Sequence, residues 1–330
     1  MDLPVELVEG LERACAGVPE RQLAASVERL ISRYRDPRPA ASPILGSAAD
    51  VTAYAAYRMP ATWAAVRHAL GQFQELAPDF RPRSFLDIGG GTGAALWAAA
   101  EAFPSLTGAV VLDQVDEALQ LGRRIAVGAE PDVVRAAVWR RGVVTDLRTA
   151  DRADLAAISY VLSELSPPDQ ASVVEQACVV ADAVIVIEPG TPDGHRRILA
   201  ARETLITAGM SLAAPCPHQD TCPLADTTDW CHFSARITRT SLHRRLKGAE
   251  LGHEDEKFSY VIATRTPTPR APGRILRHPL KRKGLVTLQV CTPTNAITPT
   301  LISKRQGETY RHARDVQWGD SWPPVAPGVS

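Results

Sequence analysis

The spacing of apolar and polar positions follows three successive patterns along the chain. In residues 3–35, apolar side chains recur at helical spacing with a break at 17–19, which predicts two helices. From residue 84 to about 209, short apolar runs alternate with helical patterns, as in a parallel sheet covered by helices on both faces. Beyond residue 210 the alternation gives way to cysteines, prolines and basic residues. We therefore predict an α/β protein, a doubly wound parallel sheet with N-terminal helices and a C-terminal cysteine-rich metal-binding module.

Individual elements follow from the same pattern. The predicted strands cover 84–88, 108–112, 133–138, 154–162 and 182–188, and the predicted helices cover 93–103, 114–126, 168–180 and 194–208. Before the first strand, Pro60 suits the first turn of a helix that runs to about Leu76. The proline-rich stretch 36–43 predicts a linker. The predicted domains are an N-terminal helical region (1–80), a Rossmann-type domain (81–210), a cysteine-rich module (211–318) and a disordered tail (319–330).

A glycine-rich turn follows the first predicted strand. Asp87 ends the apolar run, and Gly89, Gly91 and Gly93 follow at alternate positions before an alanine-rich helix begins. Glycine permits positive φ angles and lets a ligand approach the main chain, while the helix start offers unpaired N–H groups. The next strand ends in Asp113, about 20 residues further on, where nucleotide-binding α/β folds place a carboxylate for ribose hydroxyls. The pattern predicts a cofactor site at the carboxyl ends of these strands.

The spacing D-x-G-x-G-x-G resembles motif I of the class I S-adenosylmethionine-dependent methyltransferases and differs from the dinucleotide fingerprint. The resemblance implies S-adenosylmethionine as cofactor, with Asp146 in the region that holds the adenine amino group. A surface aspartate in a loop is the alternative for Asp146. After the fourth strand, residues 159–165 contain neither an Asn-Pro-Pro-Tyr motif nor the Pro-Cys nucleophile of cytosine methylation. Tyr160 and Glu164 are candidates by position alone, so no catalytic residue is assigned.

Charge and targeting signals narrow the classes of partner. The 330 residues include 37 basic and 37 acidic side chains, so no global field draws the protein onto nucleic acid, and DNA binding is not expected. No apolar run approaches the ~18 residues that a membrane span requires. The N-terminus lacks a basic segment followed by an apolar core. The sequence therefore predicts a cytoplasmic protein without membrane contact.

Four of the six cysteines lie beyond residue 210. They are Cys216, Cys222, Cys231 and Cys291. Without a secretory signal, clustered cysteines favour a metal site over disulfides, and thiolates suit zinc or iron–sulfur clusters. The spacing C-x5-C-x8-C with a distant fourth cysteine lacks the C-x2-C pairs of common zinc fingers. Spacing alone leaves a metal site and reduced core cysteines open, whereas Cys15 and Cys178 lie in helical patterns and are predicted core residues.

Several motifs together give a more specific resemblance. They are 57–62, the glycine turn, 188–192, 214–218, 229–233 and 254–260. From about residue 50 to Trp318, the chain resembles the methyltransferase-like family of small-ribosomal-subunit assembly factors, which has mitochondrial and bacterial members. The resemblance implies a methyltransferase fold and association with the small ribosomal subunit or its rRNA. It also implies a 4Fe–4S cluster whose ligands map onto Cys216, Cys222, Cys231 and Cys291.

Two basic stretches lie on either side of the expected metal ligands. They comprise Arg236, Arg239, His243, Arg244, Arg245 and Lys247, and Arg270, Arg274, Arg277, Lys281, Arg282 and Lys283. Such groups contact phosphates, which supply most non-specific affinity for nucleic acid. The alternative is a solvated face neutralised by the acidic residues of 250–256. For the metal, His218 and His232 leave zinc open, because imidazole and thiolate both bind it.

The sequence thus predicts an S-adenosylmethionine-binding, iron–sulfur-containing methyltransferase-like protein that acts on the small ribosomal subunit or its RNA in assembly or translation. If it is an enzyme, an RNA base is the methyl acceptor. Two alternatives stay open. One is a non-catalytic RNA-binding assembly factor that retains the pocket. The other is a small-molecule methyltransferase with a structural zinc ion.

Overall fold

The structure is a computed structural model and describes residues 1–35, 48–147, 151–247 and 251–325. The predicted linker at 36–43, Glu250 of the acidic stretch and the last five residues of the predicted tail lie outside these ranges, as does the side chain of Lys247. The described helices are α1 (Val5–Cys15), α2 (Glu20–Arg35), α3 (Ala48–Leu76), α4 (Ala94–Ala102), α5 (Asp116–Ala126), α6 (Asp132–Arg135), α7 (Pro167–Val180), α8 (Pro192–Thr207), α9 (Ser241–Lys247) and α10 (Glu308–Asp315). The described strands are β1 (Ser84–Ile88), β2 (Gly108–Asp113), β3 (Val138–Arg141), β4 (Ala153–Ser159), β5 (Ala181–Pro189), β6 (Ser211–Ala214), β7 (Phe233–Thr238), β8 (His253–Thr264), β9 (Arg274–Ile275), β10 (Leu280–Arg282), β11 (Leu285–Cys291) and β12 (Ile297–Ser303).

A mixed sheet forms the centre of the molecule. Its strand order is β3-β2-β1-β4-β5-β8-β6, and β7 also pairs with β8. Strands β1 to β5 run parallel, whereas β8 is antiparallel to β5, β6 and β7. The predicted doubly wound arrangement is confirmed for the first five strands, and the antiparallel strands make the sheet mixed. The strand order reverses beside β1, and ligands of open α/β sheets bind at such a reversal.

Two predicted strands differ from the observed ones at their ends. β3 begins at Val138 instead of 133, because Pro131 precedes the short helix α6 and its fixed φ suits a helix start. β4 ends at Ser159 instead of 162, because Tyr160 adopts a left-handed φ of 61° and a 3-10 turn follows at Leu162–Glu164. Both differences arise where local backbone preferences interrupt an apolar run.

The long helix α3 overturns the prediction of a helix that starts at Pro60. It begins at Ala48 and continues through Pro60 to Leu76. An interior proline costs a helix about 3 kcal/mol. Most of α3 is buried, including Trp63 and Phe73 in the main core, so its packing outweighs this cost.

Separate cores lie on the two faces of the central sheet. One contains residues of α1, α3, α4 and α5, with Trp63 and Trp97 almost fully buried. The other contains residues of α7 and α8, such as Leu205. Cys15 belongs to the first core and Cys178 to the second, which confirms both as core residues. Burial raises the pKa of each thiol to about 11.

A second, smaller sheet follows the central one in sequence. Its order is β10-β11-β12, and β9 pairs with β11. Val286 on its inner face belongs to a cluster that also contains Ala313 of α10 and Trp322. Ser321 forms an antiparallel bridge with Arg274. Ordered packing therefore extends beyond residue 318, the end of the predicted cysteine-rich module.

The contact between α1 and α5 gives a test of this packing. A Cβ atom at Gly10 would lie 2.7 Å from the backbone oxygen of Ile125, whereas one at Gly17 would meet nothing within 4 Å. We expect Gly10→Ala to lower the free energy of unfolding by about 1–2 kcal/mol, because this clash outweighs the roughly 1 kcal/mol gain in helix propensity. Gly17→Ala should change it by less than about 0.5 kcal/mol. Urea unfolding measures both, and equal stability of the two variants would contradict the close packing of α1.

Candidate cofactor cleft and cysteine cavity

A cleft opens at the carboxyl ends of β1, β2 and β4. Its volume is about 1090 Å³, counting space open to solvent. The glycine turn forms one side, and Met59 and Thr62 of α3 contribute another. This is the edge at which open α/β sheets bind ligands.

The glycine turn has the backbone conformation that its sequence predicts. Gly89, Gly91 and Gly93 have φ angles of 69°, 54° and 83°, in the left-handed region that favours glycine. The N–H of Gly91 donates to Asp113 Oδ2 at 2.9 Å, and the N–H of Val115 donates to Oδ1 at 2.8 Å. Burial raises the pKa of Asp113, and these N–H groups oppose that effect. Asp113 therefore ties the turn to the end of β2 and presents its carboxylate at the cleft.

Asp87 lies beneath the turn rather than in the cleft. It is fully buried, and a Cβ atom at Gly90 would lie 2.4 Å from its carboxyl carbon. Within the described chain, neither carboxylate oxygen has a hydrogen bond of good geometry. Burial raises the pKa of Asp87 to about 7, although the nearby N–H of Leu96 in α4 opposes the shift. The side chain supports the turn from below.

Two further residues proposed from the sequence occupy different positions. The loop after β3 reaches the cleft through Val144, while Asp146, two residues later, is exposed. The role of Asp146 at the adenine end therefore stays a prediction. Glu164 lines the cleft, with part of its surface exposed. Burial of its carboxyl group, followed by the charges of Asp113 and Glu188, raises the pKa of Glu164 to about 7.

A buried polar network closes the cleft beside the end of β4. The hydroxyl of Tyr160 donates to Glu256 Oε1 at 2.8 Å. Arg58 of α3 donates to both oxygens of Glu256, at 3.0 and 3.3 Å, and its guanidinium lies 5.2 Å from the centre of the Tyr160 ring. The network joins α3, β4 and β8. The role of Glu256 could not be found from the sequence, because it lies 198 residues from Arg58.

Four cysteines meet at a second cavity, which has a volume of about 560 Å³ including open space. Strands β6 and β7 lie end to end along one edge of β8, where Ala214 pairs with Ile262 and Phe233 pairs with Phe258. The loop 215–232 therefore leaves and rejoins the sheet at nearby points. The cysteines that line the cavity are Cys216, Cys222, Cys231 and Cys291.

Cys291 reaches this cavity from the second sheet. It ends β11 and pairs with Arg274 of β9, whose Nε donates to the backbone oxygen of Pro215 at 3.1 Å. None of the six cysteines forms a disulfide. In the parts of the chain that the structure describes, no group of three or more His, Cys, Asp or Glu side chains is arranged to hold a metal ion. The four cysteines thus share a cavity without converging on one point.

The same cavity is lined by buried polar groups without hydrogen-bond partners among the described residues. These atoms are both ring nitrogens of His195, Nδ1 of His218, the hydroxyl of Tyr260, Nε of Arg202 and Nη2 of Arg274. An unpaired buried donor costs about 1–3 kcal/mol. The two arginine nitrogens, the Tyr260 hydroxyl and one ring nitrogen of neutral His195 are donors, and such a set fits a bound group that is rich in acceptors.

The comparisons with known proteins concern most of the chain. A family described as "Mitochondrial small ribosomal subunit Rsm22" matches residues 48–323. The chain belongs to the Rsm22 family. The matched region contains the glycine turn, the cofactor cleft and all four cysteines of the cavity. In this family member the fold is α/β with a mixed central sheet.

Two curated relatives extend the comparison. The chain is 29% identical over 297 residues to "Ribosome assembly protein METTL17, mitochondrial" of Homo sapiens. The matched region covers 84% of this chain and 63% of the relative. It is also 25% identical over 182 residues to "Rsm22-cox11 tandem protein 2, mitochondrial" of Schizosaccharomyces pombe. This matched region covers 42% of this chain and 24% of the relative. The chain spans less than two thirds of the length of either protein.

Solved methyltransferase structures are similar at a lower level. An O-methyltransferase family protein from Burkholderia thailandensis matches with a TM-score of 0.46 and 14% identity, covering 73% of this chain and 68% of that chain. Magnesium protoporphyrin IX methyltransferase from Synechocystis with bound S-adenosylmethionine matches with a TM-score of 0.43 and 10% identity, covering 72% and 91%.

The comparisons correct the cytoplasmic location predicted from the sequence. The Rsm22 family and both curated relatives are described as mitochondrial, which contradicts that prediction. The prediction was drawn from the lack of a recognisable targeting signal, and such an absence does not identify a compartment. Separately, no helix among the described residues is long and apolar enough to cross a membrane.

The buried carboxyl group of Asp87 predicts a pH dependence of stability without added ligand. Its pKa is about 7 in the folded protein, against an ordinary value of 3.8. Between these pH values the folded protein binds more protons than the unfolded chain, so the free energy of unfolding falls as the pH rises. The fall is about 4 kcal/mol, at about 1.36 kcal/mol per pKa unit.

Asp87→Asn cannot ionise and should remove this fall, which urea unfolding of both proteins near pH 4 and pH 7 will measure. An identical pH dependence in wild type and variant would show that the carboxyl group titrates normally.

Proposed function

We propose that this member of the Rsm22 family binds S-adenosylmethionine, carries a 4Fe–4S cluster and acts on the small ribosomal subunit or its RNA. The observation that carries the proposal is the glycine turn held by Asp113 at the carboxyl edge of the sheet. A cluster in the cysteine cavity and an RNA contact on the second sheet complete it. Each part is supported by a different set of residues.

In the cofactor cleft, the backbone at Gly89 to Gly91 is open to a ligand, and Asp113 supplies acceptors for ribose hydroxyls. Each Asp113 oxygen already accepts one backbone N–H, and each keeps a further lone pair for a hydroxyl. The loop that carries Val144 and Asp146 would lie at the adenine end. S-adenosylmethionine supplies an activated methyl group when it is bound, while these residues hold and orient it.

The cysteine cavity fits an iron–sulfur cluster better than a zinc ion. A structural zinc ion needs four ligands about 2.0–2.3 Å from one point. No such set occurs in the described chain. A 4Fe–4S cluster binds one thiolate at each of four separate irons, so its ligands lie further apart. Cys216, Cys222, Cys231 and Cys291 would hold it, and the unpaired donors around the cavity would face its sulfur atoms.

The two basic stretches differ in the folded protein. In the first, Arg236 pairs with Asp255, and Arg239 and His243 both face Glu254. The charge of these residues is therefore largely neutralised. This agrees with the neutralised, solvated face that the sequence leaves open as the alternative to RNA binding. In the second stretch, Arg274 is buried and Arg277 pairs with Asp229. Its last three cations, Lys281, Arg282 and Lys283, reach solvent at the edge of the second sheet.

That exposed edge forms a basic hairpin, which we define as Lys281, Arg282, Lys283, Lys304 and Arg305. All five side chains are exposed, and the backbone N–H of Lys304 donates to the oxygen of Gly284 at 2.9 Å. This bond brings the second pair of cations beside the first three. No ion pair involves these side chains within the described ranges. Unneutralised cations at this density suit an RNA phosphate backbone.

A non-catalytic assembly factor is the second candidate, and the Tyr160 network favours it. The position after the fourth strand is where methyl-transfer residues are expected. Here Tyr160 is held by Glu256, which is itself paired with Arg58. The network occupies the Tyr160 hydroxyl, so Glu164 is the candidate after β4 that still presents an unengaged carboxyl group to the cleft among the described residues. Methyl transfer to small-subunit rRNA, measured with labelled S-adenosylmethionine, separates the two candidates.

Calorimetric binding of S-adenosylmethionine tests the cleft. Asp113→Asn leaves one backbone N–H without its acceptor and removes the charge that faces the ribose, so we expect at least tenfold weaker binding, or about 1.4 kcal/mol. Asp154 is a matched control. It accepts N–H bonds from Arg83 and Ser84 at 2.6 and 3.0 Å, near the opposite ends of the strands. Asp154→Asn should therefore leave the affinity unchanged. Failure of the wild type to bind the cofactor would refute this part of the proposal.

The salt dependence of RNA binding tests the basic hairpin. Replacing Lys281, Arg282 and Lys283 together by glutamine should lower the slope of log K against log salt by about 2, at about 0.7 per phosphate contact with single strands. A fragment of small-subunit rRNA serves as the probe. Arg236→Gln is the control, because its charge is already paired with Asp255. A triple variant with the wild-type slope would place the RNA contact elsewhere.

A further inference from the structure

Two fully buried cations line the cysteine cavity. Arg202 of α8 and Arg274 of β9 are each 1% exposed. A buried charge is costly unless it has a partner of opposite sign. Arg202 pairs with Glu203, whose side chain is 64% exposed, and Arg274 has no ion pair within 4 Å in the described chain. Neither guanidinium thus has a buried carboxylate within 4 Å among the described residues, and Glu75 and Asp320 act on Arg274 only from a greater distance.

Both arginines also hold the segment that carries the first two cysteines. Arg202 Nη2 donates to the backbone oxygen of Asp220 at 2.5 Å, and Arg274 Nε donates to that of Pro215 at 3.1 Å. Arg274 in addition pairs with Cys291 across β9 and β11. Each guanidinium keeps one nitrogen without an acceptor among the described residues, Nε in Arg202 and Nη2 in Arg274. Their positions leave a donor available to a group inside the cavity.

The charge of a cluster matches these two cations. Four thiolates around a core of charge two plus make a group with two negative charges. Two guanidinium groups balance that charge within a cavity of low polarity. Positive charge and hydrogen bonds to sulfur favour the reduced, more negative state of a cluster, so they raise its reduction potential.

Tyr260 supplies a third donor from the central sheet. It lies on β8 between Phe258, which pairs with the first residue of β7, and Ile262, which pairs with the last residue of β6. Its side chain is 2% exposed, and its hydroxyl has no partner among the described residues. A hydroxyl at the cavity wall can donate to sulfur without adding charge.

We propose that Arg202 and Arg274 balance the charge of the cluster and that, together with Tyr260, they direct hydrogen bonds at its sulfur atoms and raise its reduction potential. The proposal rests on the cluster of the proposed function. In this proposal, three residues that bind no iron set the reduction potential of the cluster. Their effect is therefore visible in a potential rather than in metal content alone.

The test is a redox titration of anaerobically purified full-length protein, followed by electron paramagnetic resonance. Arg202→Gln and Arg274→Gln should each lower the equilibrium constant for one-electron reduction at least tenfold, which is a shift of about 59 mV to more negative potential. Tyr260→Phe should shift it in the same direction by less. Arg270→Gln is the control, because the exposed Arg270 donates to Gln219 in the same loop without lining the cavity.

Iron and sulfide analysis separates the two levels of the proposal. Wild-type protein without iron and sulfide, or with contents that Cys216→Ser leaves unchanged, would overturn the cluster itself. A cluster-bearing wild type whose potential is the same in all three variants would overturn only the role of the arginines and Tyr260. If the arginine variants fail to fold or to take up iron, Tyr260→Phe decides, since it keeps the ring packing and an unchanged potential there refutes the proposal.

Discussion

The pairing of β8 along both of its edges is the constraint on which the two sites depend. One edge joins β5 and so fixes β8 to the parallel part of the sheet, and the other edge carries β6 and β7 end to end. Glu256 on β8 anchors Tyr160 at the cofactor cleft, and Tyr260 on the same strand lines the cysteine cavity. Four residues of strand span about 13 Å, so a single rigid element relates the two sites.

Buried charge is handled differently in the two sites. At the cleft, Arg58 and Glu256 satisfy each other, and breaking such a buried pair typically costs about 3–5 kcal/mol. That network therefore has a structural role, because it joins α3 to the sheet. At the cavity, Arg274 and Tyr260 have donors that no described protein group accepts. The first arrangement is complete by itself, whereas the second leaves donors unpaired among the described residues.

Local features of the fold could be predicted from the sequence, and long-range ones could not. The glycine turn and Asp113 were predictable because their geometry depends on a few neighbouring residues with strong backbone preferences. The start of α3 could not be predicted, because a helix tolerates an interior proline such as Pro60 only when its burial against other helices offsets the cost. The partnership of Arg58 with Glu256 joins positions too distant for any periodicity to reveal. The spacing of the cysteines left the kind of site open, because their position around one cavity depends on how β6 and β7 share one edge of β8 and on where β11 ends.

The end-to-end placement of β6 and β7 has a consequence for how such proteins are recognised. The loop 215–232 is anchored at both ends by strand pairing, so its closure changes little in free energy when residues are added or removed between the cysteines. Closure of the loop therefore constrains the intervals between its cysteines less than strand pairing constrains the residues that contact β8. A search pattern that fixes the flanking strands is accordingly less sensitive to such insertions than one built on fixed cysteine intervals.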